Sequence, residues 1–451
     1  MLARTRLTTA LAALTLALAA CGGAADDASS GAADASAPPD AEMPGGDPPG
    51  DGAAPGGGAS GQVDTGTGAY LLSDGETVDG GTYASVDDDE NAIRAEGAIT
   101  AALAGVTVEK TGGDASSSDA SSFYGLNAAV LALDGADLTI DGGTVTATAE
   151  GANGVFAYGA TITIVDTVID VSGGNAGGIE VAGGGTLYAT DLTVDATVKA
   201  AIRSDRGGGT LVVDGGTYRT SGSSGAPAIY STADISVTDA TLTAEDSEAV
   251  VVEGLNSVTL TDSDVTGDMD GTYGDATGEN VHNVMLYQSM SGDAEEGTSS
   301  FTLTGGTLTS LNGDMFYVTN TDCVITLSGV ALTLADGADL LVVAGNDGAR
   351  GWGTAGANGG VAEVDLGGQT AVGDITVDEI SQLSLSLADG SDYTGAINSD
   401  GTAAEALSVA IDGTSTWTLT GDSHVTALTG GLDGVDLNGF TLYVDGEAVT
   451  P

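Results

Sequence analysis

Short apolar triplets recur along this chain at a nearly constant interval. Leu138–Ile140, Ile162–Ile164, Leu187–Ala189, Leu211–Val213, Ile235–Val237, Val258–Leu260, Phe301–Leu303 and Ile325–Leu327 follow one another, and their last positions advance by 24, 25, 24, 24, 23, 43 and 24 residues. The 43-residue step holds an insertion of some nineteen residues. Within a triplet the outer positions are apolar and the middle one points the other way, the period of a strand. A second strand follows an Asp/Gly corner, as at Asp141-Gly142-Gly143 and Asp214-Gly215-Gly216. A third strand precedes each triplet, at Val130-Leu131, Val155-Phe156, Ile179-Glu180, Ile202-Arg203, Ile229-Tyr230 and Val252-Glu253. Helix signals are nearly absent. A fixed period of this kind decides the fold class before any single residue does.

One such turn has no way to bury its own apolar edge. Stacked turns do, each hydrogen-bonded to the next at a spacing of ~4.8 Å. The repeat resembles an all-β, right-handed parallel β-helix, a solenoid of three short strands per turn. A propeller is disfavoured, because its blades take about 40 or more residues and four strands each. The resemblance spans roughly residues 69–443 and is clearest over 126–337. The expected organisation is a main β-helix over 69–345, then irregular last rungs and a cap over 346–451, around Leu383–Leu387 and Trp417–Leu419. Cys323 shares parity with Ile325 and Leu327, which predicts a buried free thiol. It has no neighbouring His or basic group to make it reactive.

The N-terminus reads as an address. Arg4 and Arg6 precede an apolar stretch from Leu7 to Ala20, too short for a comfortable membrane span. The stretch runs into Leu18-Ala19-Ala20-Cys21-Gly22, which resembles a bacterial lipobox: residues 1–20 as signal peptide, Cys21 as the acylated first residue. Acyl chains anchor stably because each buried CH₂ contributes ~0.8 kcal/mol. Residues 21–68 form a linker rich in Ala, Gly, Asp, Ser and Pro, without apolar period; six of the chain's eight prolines lie in it. It is read as a disordered tether.

Charge narrows the partners. The chain carries 65 Asp+Glu against 9 Lys+Arg, a formal charge of -56. That excludes a nucleic-acid binder, which needs clustered Lys and Arg. It also disfavours docking on anionic lipid, leaving the lipid on Cys21 as the contact with membrane. Removing Arg4 and Arg6 leaves seven cations, and four of them, Lys199, Arg203, Arg206 and Arg219, fall within 199–219.

In the repeat frame Arg203 stands one turn after Glu180, with Tyr230, Glu253, Tyr287-Gln288 and Tyr317 near the same outward column in later turns. Together with Asp205 and Arg206 they predict a stripe of carboxylates, guanidinium groups, phenols and an amide. Rungs ~4.8 Å apart are close to the advance of one pyranose unit, so a glycan chain would lie along the stripe. Trp352, in a Gly-rich protrusion over 346–360, is a candidate sugar platform; Lys110 to Gly125 is another protrusion. Catalysis is the alternative use of Glu180, Arg203, Asp205 and Arg206, with Arg as base beside a carboxylate-bound calcium ion. No lyase motif accompanies them, and Arg203 and Arg206 would oppose a proton-donating acid. The insertion carries Asp268, Asp270, Asp275 and Glu279. They are spaced loosely like an EF-hand loop without its Gly or its helices, hence candidate ligands for calcium, the one cofactor expected.

These parts together resemble the β-helix surface lipoproteins of Gram-positive bacteria, in architecture and repeat style. The resemblance implies an anchored, adhesin-like or polysaccharide-binding protein on the outer face of the cell membrane, acting without catalysis. A polysaccharide-active enzyme and a stalk without specific ligand are the alternatives it leaves.

Overall fold

The computed structural model describes residues 64–273 and 278–449. The expected export signal, Cys21, the expected linker up to residue 63 and Asp275 lie outside them. The described residues form a parallel β-helix. Sheet A has twelve strands, sheet B fourteen and sheet C ten, and successive strands of one sheet are separated in sequence by a visit to the other two. One turn runs through Val155–Tyr158 in sheet A, Thr161–Val165 in sheet B and Val168–Val171 in sheet C. The next runs through Ile179–Ala182, Gly185–Thr190 and Thr193–Ala196, each strand parallel to its predecessor.

The apolar column read from the sequence is the actual register of sheet B. Ile140, Ile164, Ala189, Val213, Val237, Leu260, Leu303 and Leu327 are successive Cα partners. All are buried, in one core built largely of Ala, Val, Ile and Leu. Cys323 is a buried free thiol, and burial pushes its pKa well above the ordinary value.

The Asp/Gly corners have a conformational cause. The residue that ends each sheet B strand and starts the turn to sheet C is Gly142, Asp166, Asp191, Gly215, Asp239, Asp262 and Gly305 in successive turns, and every one has φ between 48° and 72°. A left-handed backbone excludes most side chains but tolerates Gly and, through local hydrogen bonding, Asp and Asn. Of the fifteen described non-Gly residues with positive φ, nine are Asp and five Asn. The acid-rich composition is in part a corner requirement.

Sheet C stops at Ala331–Thr333 and sheet A at Ile375–Val377, while sheet B continues to Ala427–Thr429. A four-stranded sheet ending in Thr416–Thr418 and Val435–Asp436 replaces sheet C, with Trp417 buried against Tyr393. The antiparallel pair Leu442–Val444 and Glu447–Ala448 closes this end. The Lys110–Gly125 protrusion holds one short helix, α1 (Ser118–Tyr124), capped by the Ser117 side chain and by Gly125 at φ 74°. Among the described residues no helix is long and apolar enough to cross a membrane.

Candidate functional site

The predicted stripe lies on the outer face of sheet A, as two columns rather than one. Phe156, Glu180, Arg203, Tyr230, Val251, Met285 and Tyr317 are successive partners in the first. Glu253 pairs with Tyr287 in a second column, two residues further along each strand. The sequence alignment placed Val252-Glu253 beside Ile229-Tyr230, whereas Ile229 pairs with Val250. This slip of two residues leaves the face unchanged, because side chains alternate with period two.

The larger correction concerns access. Glu180, Arg203, Asp205, Glu253, Tyr287, Gln288, Tyr317 and Trp352 are buried. They point away from the helix interior but lie beneath α1 and the loops that enter and leave sheet A. The chain therefore does not present them as an open ledge. Tyr230 and Arg206 are the partly covered members.

Charge balance holds the cover down. Arg203 donates to Asp205, and its Nε stands 3.6 Å from Glu180 Oε1. Arg206 reaches across to Asp293 at 2.5 Å and stacks over the Phe123 ring at 4.0 Å. Lys199 Nζ donates to Ser122 Oγ on α1 at 2.9 Å. Three cations thus meet three carboxylates, and two of the cations tie in segments from elsewhere in the chain. Burial raises the Glu180 pKa to about 8 against the pull of Arg203, and lowers that of Lys199 to about 7. Neither Glu180 carboxylate oxygen nor Arg203 Nη1 has a hydrogen-bond partner among the described residues.

The neighbouring rungs form an aromatic cluster. Tyr230 and Tyr287 both donate to Glu253 Oε2, at 2.5 and 3.1 Å, and the Ser289 hydroxyl donates to Oε1. Burial nonetheless pushes Glu253 above the usual carboxylate range. Trp352 packs edge-on to Tyr287 at 4.9 Å and to Tyr273 at 5.7 Å. Tyr273 donates to Glu248, and Arg350 pairs with Glu279 at 2.6 Å while lying over Tyr273. Trp352 is thus a plug in the cluster, not an exposed platform.

The proposed calcium ligands are not gathered. Glu279 is taken by Arg350, Asp270 accepts from the Ser224 hydroxyl at 2.9 Å, and Asp275 lies outside the described residues. Asp268 continues the strand Asp264–Met269. Among the described residues no group of three His, Cys, Asp or Glu side chains is arranged to hold a metal ion.

Lys199 stood out in the sequence only as one of a run of cations. Ser122, Asp293, Glu248, Tyr273 and Ser289, which complete the network, carried no signal, because their partners are distant in sequence. The remaining cations are engaged too: Arg94 with Glu96, Lys110 with the Asp87 carbonyl, Arg219 with Asp195 and Glu245. All seven cations among the described residues therefore have a partner. No family model matches the chain, and neither a curated protein nor a solved structure matches it.

Proposed function

We propose that this chain is a cell-surface protein, anchored by lipid on Cys21, whose β-helix binds polysaccharide without catalysis in the manner of an adhesin. The observation that carries the reading is the stack itself. Outward positions repeat in register over as many as fourteen strands, so an extended polymer meets similar groups at every rung. Weak contacts repeated along a chain add without any one of them being strong. The lipobox-like N-terminus and the resemblance to β-helix surface lipoproteins of Gram-positive bacteria support the location.

The engaged cations favour neutral glycans. Arg203 and Arg206 already face carboxylates, so a uronate polymer would meet an acidic surface with little to offset repulsion. Calcium would enter this reading as a bridge between surface acids and an acidic glycan. A glycan array with the full chain, with and without calcium, tests it. Binding to neutral polysaccharide without calcium is the expected result. Silence on every glycan in both conditions would leave a stalk without ligand.

The second reading is a lyase-like enzyme. It is favoured by buried carboxylates of raised pKa, Glu180 and Glu253, beside Arg203 and the tyrosine cluster. It requires the cover over sheet A to part. Appearance of unsaturated or shortened products from any polysaccharide would favour it over binding alone.

A further inference from the structure

The outer face of sheet B is poor in charge along its middle strands, although the chain is strongly acidic. Seven successive strands, from Thr161–Val165 to Asp322–Ser328, pair in parallel without a register shift. Each offers three outward positions, beginning 161, 163 and 165 and ending 324, 326 and 328, and none of the twenty-one is buried. Fifteen are Ser or Thr, and only Asp214 and Asp234 are charged. Asp234 already accepts from the Ser257 hydroxyl at 2.7 Å. Among the described residues no loop buries these positions, in contrast to sheet A. Near one end of its middle column stands Tyr188, 46 % exposed, between Thr163 and Val212 on the adjoining strands.

We propose that this face is the polysaccharide-binding surface, and that its ligand is an extended, neutral, β-linked glycan running along the column Thr163, Tyr188, Val212, Ser236, Thr259 and Thr302. The inference rests on the polysaccharide-binding reading above and names its surface and ligand class. Three physical features carry it. Hydroxyl side chains donate and accept, so they match sugar hydroxyls in either polarity. The rung spacing of ~4.8 Å is comparable to the advance of one pyranose unit, so the match persists along the whole ladder of about 29 Å. Tyr188 provides an apolar ring face for the C–H face of one sugar, while the phenol tip stays wet. The charge pattern selects the class: a nearly uncharged surface in a chain of net charge -56 receives a neutral polymer and repels a polyanion at its borders.

The full chain is tested by co-sedimentation with an insoluble neutral β-glucan and by affinity electrophoresis through soluble β-glucan and polygalacturonate. Tyr188→Ala and the pair Thr163→Ala with Thr259→Ala should each weaken β-glucan binding by about tenfold or more. The matched pair Thr217→Ala with Thr241→Ala, exposed positions on sheet C, should leave it unchanged. These side chains point away from the core, so circular dichroism should be the same for all variants. If the parent binds β-glucan and the sheet B variants bind equally well, the surface is wrong while the binding function stands. If the parent binds no glycan, the function itself fails. Binding to polygalacturonate alone overturns the ligand class. So does inhibition of ice recrystallisation that depends on Thr163 and Thr259 without glycan binding, because the hydroxyl ladder would then be ordering water.

Discussion

Replacing Glu180 by Gln should stabilise the protein near neutral pH, although it removes a buried carboxyl from an ion cluster. The carboxyl has a pKa of about 8 in the folded chain against an ordinary value of 4.5. Between these values the native state holds a proton that the unfolded state releases, so stability falls as pH rises through this window. At about pH 7 the gap is some 2.5 units, worth about 3 kcal/mol at ~1.4 kcal/mol per unit, and it approaches about 5 kcal/mol above pH 8. Gln keeps the shape and removes the proton linkage. The opposing effect is loss of an acid beside Arg203, and breaking a buried pair costs about 3–5 kcal/mol when it leaves a charge alone. Arg203 is not left alone: its direct hydrogen bond goes to Asp205, while Glu180 stands 3.6 Å away without a hydrogen bond. The gain should therefore win. Urea midpoints of parent and Glu180→Gln, measured from about pH 4 to pH 9, should coincide at the acid end and diverge in favour of the variant above about pH 5. A variant less stable than the parent at pH 7 would show that Glu180 is ionised and paired, and the reasoning would fail.

Four other outcomes follow from the structure and the sequence. Asp239→Val, at φ 53° on an exposed corner, should cost about 1–2 kcal/mol in thermal unfolding, while Asp239→Gly stays close to the parent. Added sodium chloride should raise the melting temperature steadily up to about 1 M, because screening relieves the repulsion among 65 acids; a flat response would contradict this. Arg206→Ala should speed amide exchange over 118–125 and 289–297 but not over the sheet B strands, since the side chain links Asp293 to Phe123. Cys21→Ser should release the protein into the medium and abolish acyl labelling; equal membrane retention of the variant would remove the anchor from the account.

Legibility in the sequence followed burial. Sheet B has one face inside and one in water, so apolar and polar residues alternate and the triplets could be aligned to the residue. From Glu90–Glu96 to Asp314–Thr319, sheet A has nearly all of both faces covered. Its strands read as continuous apolar runs, such as Ala249, Val250, Val251 and Val252, all buried, and a run without alternation hides its own parity. That is why Glu253 was assigned to the wrong column. The cover itself left no trace, because Lys199 meets Ser122 across 77 residues and Arg206 meets Asp293 across 87. Composition flagged the cations as unusual, and only the structure says that Lys199 and Arg203 are buried. Trp352 illustrates the same limit. An indole in a Gly-rich loop looks like a platform until the loop is seen to lay it against Tyr287.

The distribution of charge ties these points to the choice of ligand. Left-handed corners demand Gly, Asp or Asn at every turn, so carboxylates accumulate along the edges between sheets. The seven cations are engaged by other acids, by the Asp87 carbonyl or in covering sheet A, and the surface keeps no compensating positive patch. An acidic polymer approaching such a solenoid would have to shed its repulsion through added salt or divalent ions before any short-range contact formed. A neutral polymer meets no such barrier, and it meets the fewest charges on the one broad, uncovered face whose outward positions are hydroxyls in register. From Thr161–Val165 to Asp322–Ser328 the middle outward column of sheet B carries no acid, and that contrast with an acidic chain, more than any single residue, underlies the proposal of a neutral glycan there.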